Sequence, residues 1–303
     1  ASHSAHHQSE EYNLSTALRQ TSTDYIGFIF YLPLYLAGVP TEVIISVGSL
    51  NLIYQFWVHT EHIGKLGMLE YIFITPSNHR VHHAQNAEYI DANYGGVFIL
   101  WDRMFGTFIE EMDHLKPTYG TVKPLSSWNP IWSNLEIYHQ MVRDSFYTKG
   151  IKNKFKVWFS NTRWRPDDVL EKFPQFSNDM SNFVKYDPDC DSVTKTFCLI
   201  QFITNSIVST ALIFTVTDQS YVITCIVAAM LIFSTTLVNL ILENKRWAIN
   251  FEIFRSLAVV TAYLTINVQP SILTIDLFFY QSLMSIFYLL MFLPINNRLS
   301  IIK

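Results

Sequence analysis

The C-terminal third of the chain holds four successive stretches without a charged residue, and these constrain the fold more than any other feature. They comprise 22 residues between Lys195 and Asp218, 24 between Asp218 and Glu243, 20 between Arg255 and Asp276, and 21 between Asp276 and Arg298. A helix needs about 20 apolar residues to cross the hydrocarbon core of a bilayer. Residues 196–297 therefore predict four transmembrane helices in two hairpins. Four such stretches in succession disfavour the alternative, the buried core of a large soluble protein.

The composition also indicates a membrane protein. Charged residues make up 15% of the chain and hydrophobic residues 50%, with a mean hydropathy of +0.18, whereas about 25% of a soluble protein is charged. A net charge of −4 and a pI of about 6.2 lack the basic face of a nucleic-acid-binding protein, so no nucleic acid partner is expected. The three cysteines form no C-x-x-C pair and are predicted to be packing residues.

Residues 25–58 predict a further apolar membrane hairpin. Only 17 uncharged residues separate Asp24 from Glu42, so a shallow or re-entrant hairpin and two full spans both remain open. A break is expected at 38–40, where the sequence is Gly-Val-Pro. Of the 21 Lys and Arg, 15 lie from Glu61 to Lys195, which places that region in the cytosol by the positive-inside rule.

Six of the ten histidines lie in two copies of a motif that indicates metal binding, and two more lie between the copies. The motif H-x-x-H-H occurs as HSAHH and HRVHH, and a third site, HTEH, lies between them. On a helix, positions i, i+3 and i+4 share one face, so each motif can present three imidazoles to a common point and the two faces could enclose two ions. Imidazole suits Fe, Zn, Cu or Ni, so the ligand type alone does not choose the metal. The two motifs offer His3, His6, His7, His79, His82 and His83 as ligands, and the third site offers His59 and His62.

Two long segments around these motifs resemble one family. HSAHHQSEEYNLSTALRQ, starting at His3, and QFWVHTEHIGKLGMLEYIFITPSNHRVHHAQNAEYIDANYGGVFILWDRMFGTF, starting at Gln55, are similar to the fatty acid hydroxylase and sterol desaturase superfamily and, more narrowly, to the alkylglycerol monooxygenase family. The resemblance places the two H-x-x-H-H motifs on the family's second and third histidine boxes and His59 on the single histidine between them. The family's first box lies upstream, so the chain is expected to start after it and to supply an incomplete ligand set.

The resemblance implies a specific activity. A di-iron monooxygenase of the endoplasmic reticulum membrane, with its histidine boxes facing the cytosol, would use tetrahydrobiopterin and O2 to hydroxylate the ether-linked carbon of an alkylglycerol or its lysophospholipid. A fatty aldehyde would be released, and a pterin-recycling system would be a partner. The alternatives are a sterol or sphingolipid hydroxylase or desaturase of the same superfamily, and a truncated, non-catalytic membrane remnant.

Polar residues near the boxes are further candidates. Metal-bound histidine usually donates its second N–H to a carboxylate or a carbonyl, so nearby acids could orient the ligands; the sequence offers Glu10, Glu11, Glu61, Asp91 and Asp102. Glu61, Asp91 and Asn93 are predicted as catalytic residues. Asn93 starts an N-Y-G sequence that the family shares, for which a structural turn is the alternative. His62, His114 and His139 are not assigned as ligands.

These expectations give an all-α, multi-span membrane protein with a cytosolic histidine-box di-metal centre. The predicted division is 1–24 and 59–148 for the catalytic region, 25–58 for the hairpin, 149–195 for an interfacial connector, and 196–297 for the four spans. For the connector, a solvated helix pair is the alternative.

Overall fold

The computed structural model describes residues 3–161, 164–265 and 273–300, and in these residues every regular element is helical. The remaining pairing consists of two isolated β-bridges, Phe73 with Phe98 and Ala84 with Tyr119. The all-α prediction is confirmed for the described part of the chain. Two compact units are present: residues 1–126 with 132–186, and residues 127–131 with 187–303.

The first unit is built from short helices. They are α1 Ser4–His7, α2 Leu14–Ala17, α3 Leu32–Leu36, α4 Thr41–Val58, α5 Pro76–His83, α6 Leu100–Phe105, most of α7 Pro130–Tyr147, α8 Ile151–Phe159 and α9 Asp167–Lys172; 3-10 turns cover Asp24–Tyr31 and Gly67–Tyr71. The break expected at 38–40 is confirmed, because Gly38 adopts a φ of 82° between α3 and α4. Neither α3 nor α4 is among the helices that could cross a membrane by length and composition. The membrane hairpin over 25–58, shallow or fully spanning, stays a prediction.

Helix ends in this unit follow local chemistry. Pro76 opens α5 within its first turn, where a missing N–H costs nothing. Gly106 closes α6 with a φ of 76°, a left-handed conformation that glycine adopts without strain. In α2, Asn13 accepts a hydrogen bond from the main-chain N–H of Ser15, and the side chain of Thr16 accepts one from that of Asn13.

The second unit contains four long helices: α10 Ser192–Thr215, α11 Tyr221–Leu242, α12 Arg246–Thr265 and α13 Leu273–Ser300. Among the described residues, three segments are long and apolar enough to cross a membrane, namely Ser192–Thr215, Tyr221–Leu242 and Leu273–Met291. Helix α12 starts ten residues before the third charge-free stretch and includes Arg246, Glu252 and Arg255. Part of that stretch, 266–272, lies outside the described residues. A fourth span therefore stays a prediction.

One apolar cluster of the second unit contains a buried thiol. Cys198 packs among Phe197, Leu237 and Ile241, which agrees with a packing role, while Cys190 is half-buried and Cys225 is exposed. All three are free thiols. The predicted five-part division is untested by the two units, although most of the predicted connector, 149–186, belongs to the first unit.

Candidate metal centre

All seven predicted histidine ligands come together in the first unit. His6 and His7 lie on α1 with His3 at its N-cap, His59 follows the last residue of α4, and His79, His82 and His83 lie on α5. They form two groups whose ligand atoms lie within 4.8 Å of one another: an inner, buried group of His6, His59, His79 and His83, and an outer, more exposed group of His3, His7 and His82.

The two groups draw on both motifs in a crossed manner. In each H-x-x-H-H, the first and last histidines, four residues apart, join one group, and the middle histidine joins the other. His79 and His83 meet His6 in the inner group, whereas His3 and His7 meet His82 in the outer group. The expectation that three imidazoles of one motif meet at one point is therefore wrong. Adjacent positions on a helix point about 100° apart, so His6 and His7 face different groups.

The inner group places ring nitrogens against each other. The Nε2 atom of His59 lies 3.1 Å from Nε2 of His6, 3.2 Å from Nε2 of His83 and 3.0 Å from Nε2 of His79. The Nε2 atoms of His6 and His83 are 3.1 Å apart. Four imidazoles thus direct the same atom toward one small volume.

Main-chain carbonyls fix which nitrogen carries the proton. Nδ1 of His6 donates to the carbonyl oxygen of Arg19 at 3.1 Å, and Nδ1 of His59 donates to that of Gln55 at 2.7 Å. A carbonyl only accepts, so in the neutral rings Nε2 holds a lone pair. The lone pairs of His6 and His59 then face each other with no proton between them. A cation bound by both nitrogens would remove this repulsion, which supports the assignment of a metal site.

Burial keeps these rings neutral. Desolvation, followed by the nearby His3, lowers the pKa of His6 to about 3. Desolvation also lowers the pKa of His82 to about 4, and it lowers the pKa values of His79 and His83 well below their ordinary value. Only the neutral ring can offer a lone pair to a metal. Nδ1 of His79, which lies on the side of the ring away from this pocket, is buried and has no hydrogen-bond partner among the described residues.

The outer group is more open. His82 donates from Nδ1 to the carbonyl oxygen of Ala92 at 3.1 Å, and its ring lies 4.7 Å from that of His7 and 6.4 Å from that of His3, between centroids. Three imidazoles leave coordination positions free, as a catalytic metal requires. The residues present thus fit two metal ions held by nitrogen ligands.

The predicted catalytic residues lie outside both groups. Glu61 is exposed and accepts a hydrogen bond from the Tyr119 hydroxyl at 3.1 Å. Asp91 is exposed, with a φ of 61°. Asn93 is fully buried, and its amide donates to the carbonyl oxygens of Asn78 and Ile109 and accepts from the N–H of Ile109. These contacts give Asn93 a structural role and leave the catalytic role of the three a prediction.

The other candidate acids bond to main-chain N–H groups or to side chains outside the histidine groups. Asp102 is buried and accepts from the N–H groups of Tyr94 and Gly95 and from the hydroxyl of Thr107. Glu10 accepts from the N–H of Tyr186, and Glu11 pairs with Lys185. Where the structure shows a partner for the second nitrogen of a clustered histidine, that partner is a main-chain carbonyl. No side-chain pattern in a sequence marks such an acceptor.

The N-Y-G sequence is a close-packed turn. Asn93 has a φ of 53°, and a Cβ atom on Gly95 would lie 2.6 Å from the carbonyl oxygen of Phe98 and 2.9 Å from Oδ2 of Asp102. Only glycine fits there. Between them, Tyr94 places its ring 5.9 Å from that of His82, so this turn forms part of the wall beside the outer group.

Two buried pairs around the centre were missed from the sequence. Arg80 makes a two-point contact with Glu111 at 2.9 and 2.6 Å and donates to the carbonyl oxygens of Thr60 and Ile63, so it ties the loop after His59 to α5. The sequence signal that could have identified this pair is an arginine between two predicted ligands, His79 and His82.

Two tyrosines form the second missed pair. The rings of Tyr12 and Tyr119 stack at 4.6 Å, and the Tyr12 ring lies 5.3 Å from that of His83. The histidines left unassigned, His62, His114 and His139, lie outside both groups.

Comparison with known proteins gives consistent results. Residues 1–107 match the family model described as fatty acid hydroxylase. Among curated proteins, the alkylglycerol monooxygenase of Danio rerio is 35% identical over 277 residues, which cover 89% of this chain and 60% of that protein. That of Xenopus tropicalis is 39% identical over 210 residues, covering 67% and 45%, and that of Homo sapiens is 40% identical over 207 residues, also covering 67% and 45%.

The chain spans 60% or less of the length of these relatives. No solved structure matches it. The stretch 1–107 that matches the family model contains all seven clustered histidines, so that match and the geometry of the centre concern the same part of the molecule.

Proposed function

Because the chain is a homologue of the alkylglycerol monooxygenases and carries a fatty acid hydroxylase domain, we propose that it is a membrane monooxygenase that cleaves ether lipids. The substrate would be an alkylglycerol or a lyso-alkylglycerophospholipid. Hydroxylation of the ether-linked carbon gives a hemiacetal, which collapses to a fatty aldehyde and the glycerol. We propose O2 and tetrahydrobiopterin as co-substrates, with a pterin-recycling system as partner.

The observation that carries this proposal is the convergence of seven imidazoles. The inner group would hold one iron through His6, His59, His79 and His83, and the outer group a second through His3, His7 and His82. Two bound irons would supply the redox chemistry that activates O2 for attack on an unactivated C–H bond. Imidazoles are neutral, so the site would keep the positive charge of its metals.

The remaining residues would shape and position. Main-chain carbonyls hold the rings of His6 and His59 so that Nε2 points inward. Glu61 and Asp91 are retained as catalytic candidates, since both carboxylates are exposed, and Glu61 accepts a hydrogen bond from the Tyr119 hydroxyl. We assign to Asn93 the positioning of the turn that carries Tyr94.

We further propose that the protein resides in the endoplasmic reticulum membrane with its histidine centre facing the cytosol. The basic residues concentrated between Glu61 and Lys195 support that orientation. The three apolar helices of the second unit support a multi-pass membrane protein.

Fatty aldehyde release from a 1-O-alkylglycerol tests the proposal. Membranes that express the chain are compared with membranes that express a chimera, in which the chain replaces the aligned 277 residues of the Danio rerio relative. Aldehyde that depends on tetrahydrobiopterin is the expected result, together with iron in the purified protein. His82→Ala should abolish aldehyde release, while His114→Ala, at an exposed histidine outside both groups, should leave it near normal.

Three outcomes would contradict the proposal. Iron-loaded protein that releases no aldehyde in either form would exclude the ether-lipid substrate and favour hydroxylation of another lipid, such as a sterol or a sphingolipid. Aldehyde release without pterin would exclude that cofactor. Equal loss in His82→Ala and His114→Ala would show that misfolding, and not ligand removal, explains the effect.

A further inference from the structure

On one surface of the first unit, large apolar side chains are exposed and the carboxylates are buried. The 3-10 turn Gly67–Tyr71 and α6 expose large apolar or aromatic side chains, with Met68 85% and Phe105 74% exposed. We call this surface the apolar face, formed by Met68, Tyr71, Ile72, Trp101, Met104 and Phe105. The bridge between Phe73 and Phe98 and the main-chain bond from Ile99 to Ile72 join its two halves.

The acids of these segments point inward. Over 66–74 and 97–108 the two carboxylates are those of Glu70 and Asp102, and both are buried. Glu70 accepts from the N–H of Leu66 and the hydroxyls of Thr75 and Ser77, and Asp102 caps the turn at Tyr94 and Gly95. A surface built for water places its carboxylates outside, so this arrangement indicates a medium with few water molecules.

The charged and main-chain groups of the face are also satisfied within the protein. Arg103, its exposed cation, lies over the rings of Phe108 at 3.7 Å and Tyr71 at 5.1 Å and donates to the carbonyl oxygen of Glu70. The N–H groups of Ile72, Ile74 and Ile99 donate to carbonyls of the same two segments. Internal pairing of main-chain groups is what a lipid-facing surface requires.

Helix α4 decides what covers the face. Its polar side chains, Asn51 and Gln55, approach Gly96, and Tyr54 donates to the carbonyl oxygen of Ile74, so α4 adjoins the apolar face. Around the rest of its circumference it exposes apolar residues, among them Ile45, Leu50 and Ile53, each more than 60% exposed. A protein partner would contact one side of such a helix and leave another in water, whereas lipid covers all sides at once.

We propose that the apolar face docks this unit into the interfacial layer of a bilayer, with α4 embedded beside it. Tyr71 and Trp101 suit the boundary between headgroups and acyl chains, and Arg103 can extend toward the headgroups. Surfaces of this kind enter a bilayer by about 5–10 Å. The inference concerns the surface alone and holds whatever reaction the histidines perform. Under the proposed function, it would bring a lipid substrate to the unit that carries the metal centre.

A fluorescent label read in vesicles tests this docking. The full chain is reconstituted in phosphatidylcholine vesicles after Cys190→Ala and Cys225→Ala, while Cys198, which is buried, is kept. Met68→Cys and Phe105→Cys carry an environment-sensitive dye, and Glu88→Cys, at an exposed charged residue of the same unit, is the matched control. Nitroxides on the lipid acyl chains should quench the labels at 68 and 105 several-fold more strongly than the label at 88, and aqueous iodide should show the reverse order.

Either of two results would overturn the proposal. Iodide quenching at 68 and 105 as strong as at 88 would show that the face lies in water. Protection from both quenchers, with cross-linking between chains through position 68, would show that a second copy covers it. Metal content equal to that of the unlabelled protein verifies that each variant is folded, because the labelled positions are exposed and lie outside the histidine groups.

Discussion

The first unit and the C-terminal helices both bury polar side chains, but they do so in opposite ways. In the second unit, the carboxylate of Glu252 and the guanidinium of Arg255 are fully buried, and two hydrogen bonds of 2.8 and 2.6 Å join them. The hydroxyls of Ser256 and Ser285 donate to the same carboxylate. Donors match acceptors there. In the first unit, Nε2 atoms of neutral imidazoles face each other at 3.0–3.2 Å.

The difference separates a structural network from a binding site. A buried network whose donors and acceptors are matched needs nothing further, and its role is to fix helices against one another. A buried cluster in which acceptors meet acceptors lacks donors, and a cation among them supplies the missing partner. Variants that remove one partner from each region should therefore fail for different reasons.

The largest loss of stability is expected in the second unit. Arg255→Met leaves the Glu252 carboxylate buried without its cation, which should lower the free energy of unfolding by about 3–5 kcal/mol. The double variant Glu252→Gln/Arg255→Met removes both charges and should recover most of that loss, as measured by thermal unfolding in detergent. If the double variant is no more stable than the single one, the pair is not the matched network inferred here.

A somewhat smaller effect is expected for metal affinity in the first unit. His83→Ala removes one ligand of the inner group and should weaken metal binding there by more than about 100-fold. Removal of a residue that only hydrogen-bonds to a metal ligand already lowers metal affinity by about 10–100-fold. His139→Ala, at an exposed ring beside Trp132, is the control and should bind metal normally. Competition with a chelator measures both, and an unchanged affinity in His83→Ala would contradict the inner group.

A moderate effect is expected at the turn beside the centre. Gly95→Ala places a Cβ atom 2.6 Å from the carbonyl oxygen of Phe98, and such overpacking should cost about 1–3 kcal/mol in unfolding free energy. Gly64→Ala is the matched control, because a Cβ atom there meets nothing within 4 Å. Denaturation of the two variants side by side decides the matter, and equal stability would show that the turn relaxes freely.

The smallest effect is expected on the surface of the first unit. Lys65 pairs with Glu110 at 3.0 Å and with Asp113 at 3.1 Å, and all three side chains are partly or largely exposed. Exposed ion pairs contribute about 0–1 kcal/mol, so Lys65→Met should leave unfolding and metal content nearly unchanged. A loss of unfolding free energy as large as that of Gly95→Ala would show that these ion pairs contribute more to stability than their exposure indicates.

Much of the fold follows from local sequence. The charge-free stretches after Lys195 predict long apolar helices, and three segments long and apolar enough to span are found there. The boundaries of α12 were not predictable, because Glu252 and Arg255 read as the end of an apolar run until their mutual burial is known. A charged residue in a sequence is expected to be exposed. Two opposite charges can be buried together, however, and the sequence does not show which charges pair.

The sequence by itself determined six of the side chains that gather at the centre, since spacings of three and four residues put histidines on one helical side. For the seventh it offered His59 and His62, and the resemblance to a known family selected His59. Only the tertiary structure decided how they divide. His6 and His7 are neighbours in the chain yet belong to different groups, because the rotation between adjacent helical positions turns one toward His83 and the other toward His82. The same holds for the carbonyls of Arg19 and Gln55, which orient the rings: every residue has a carbonyl, and only folding shows which one meets an imidazole.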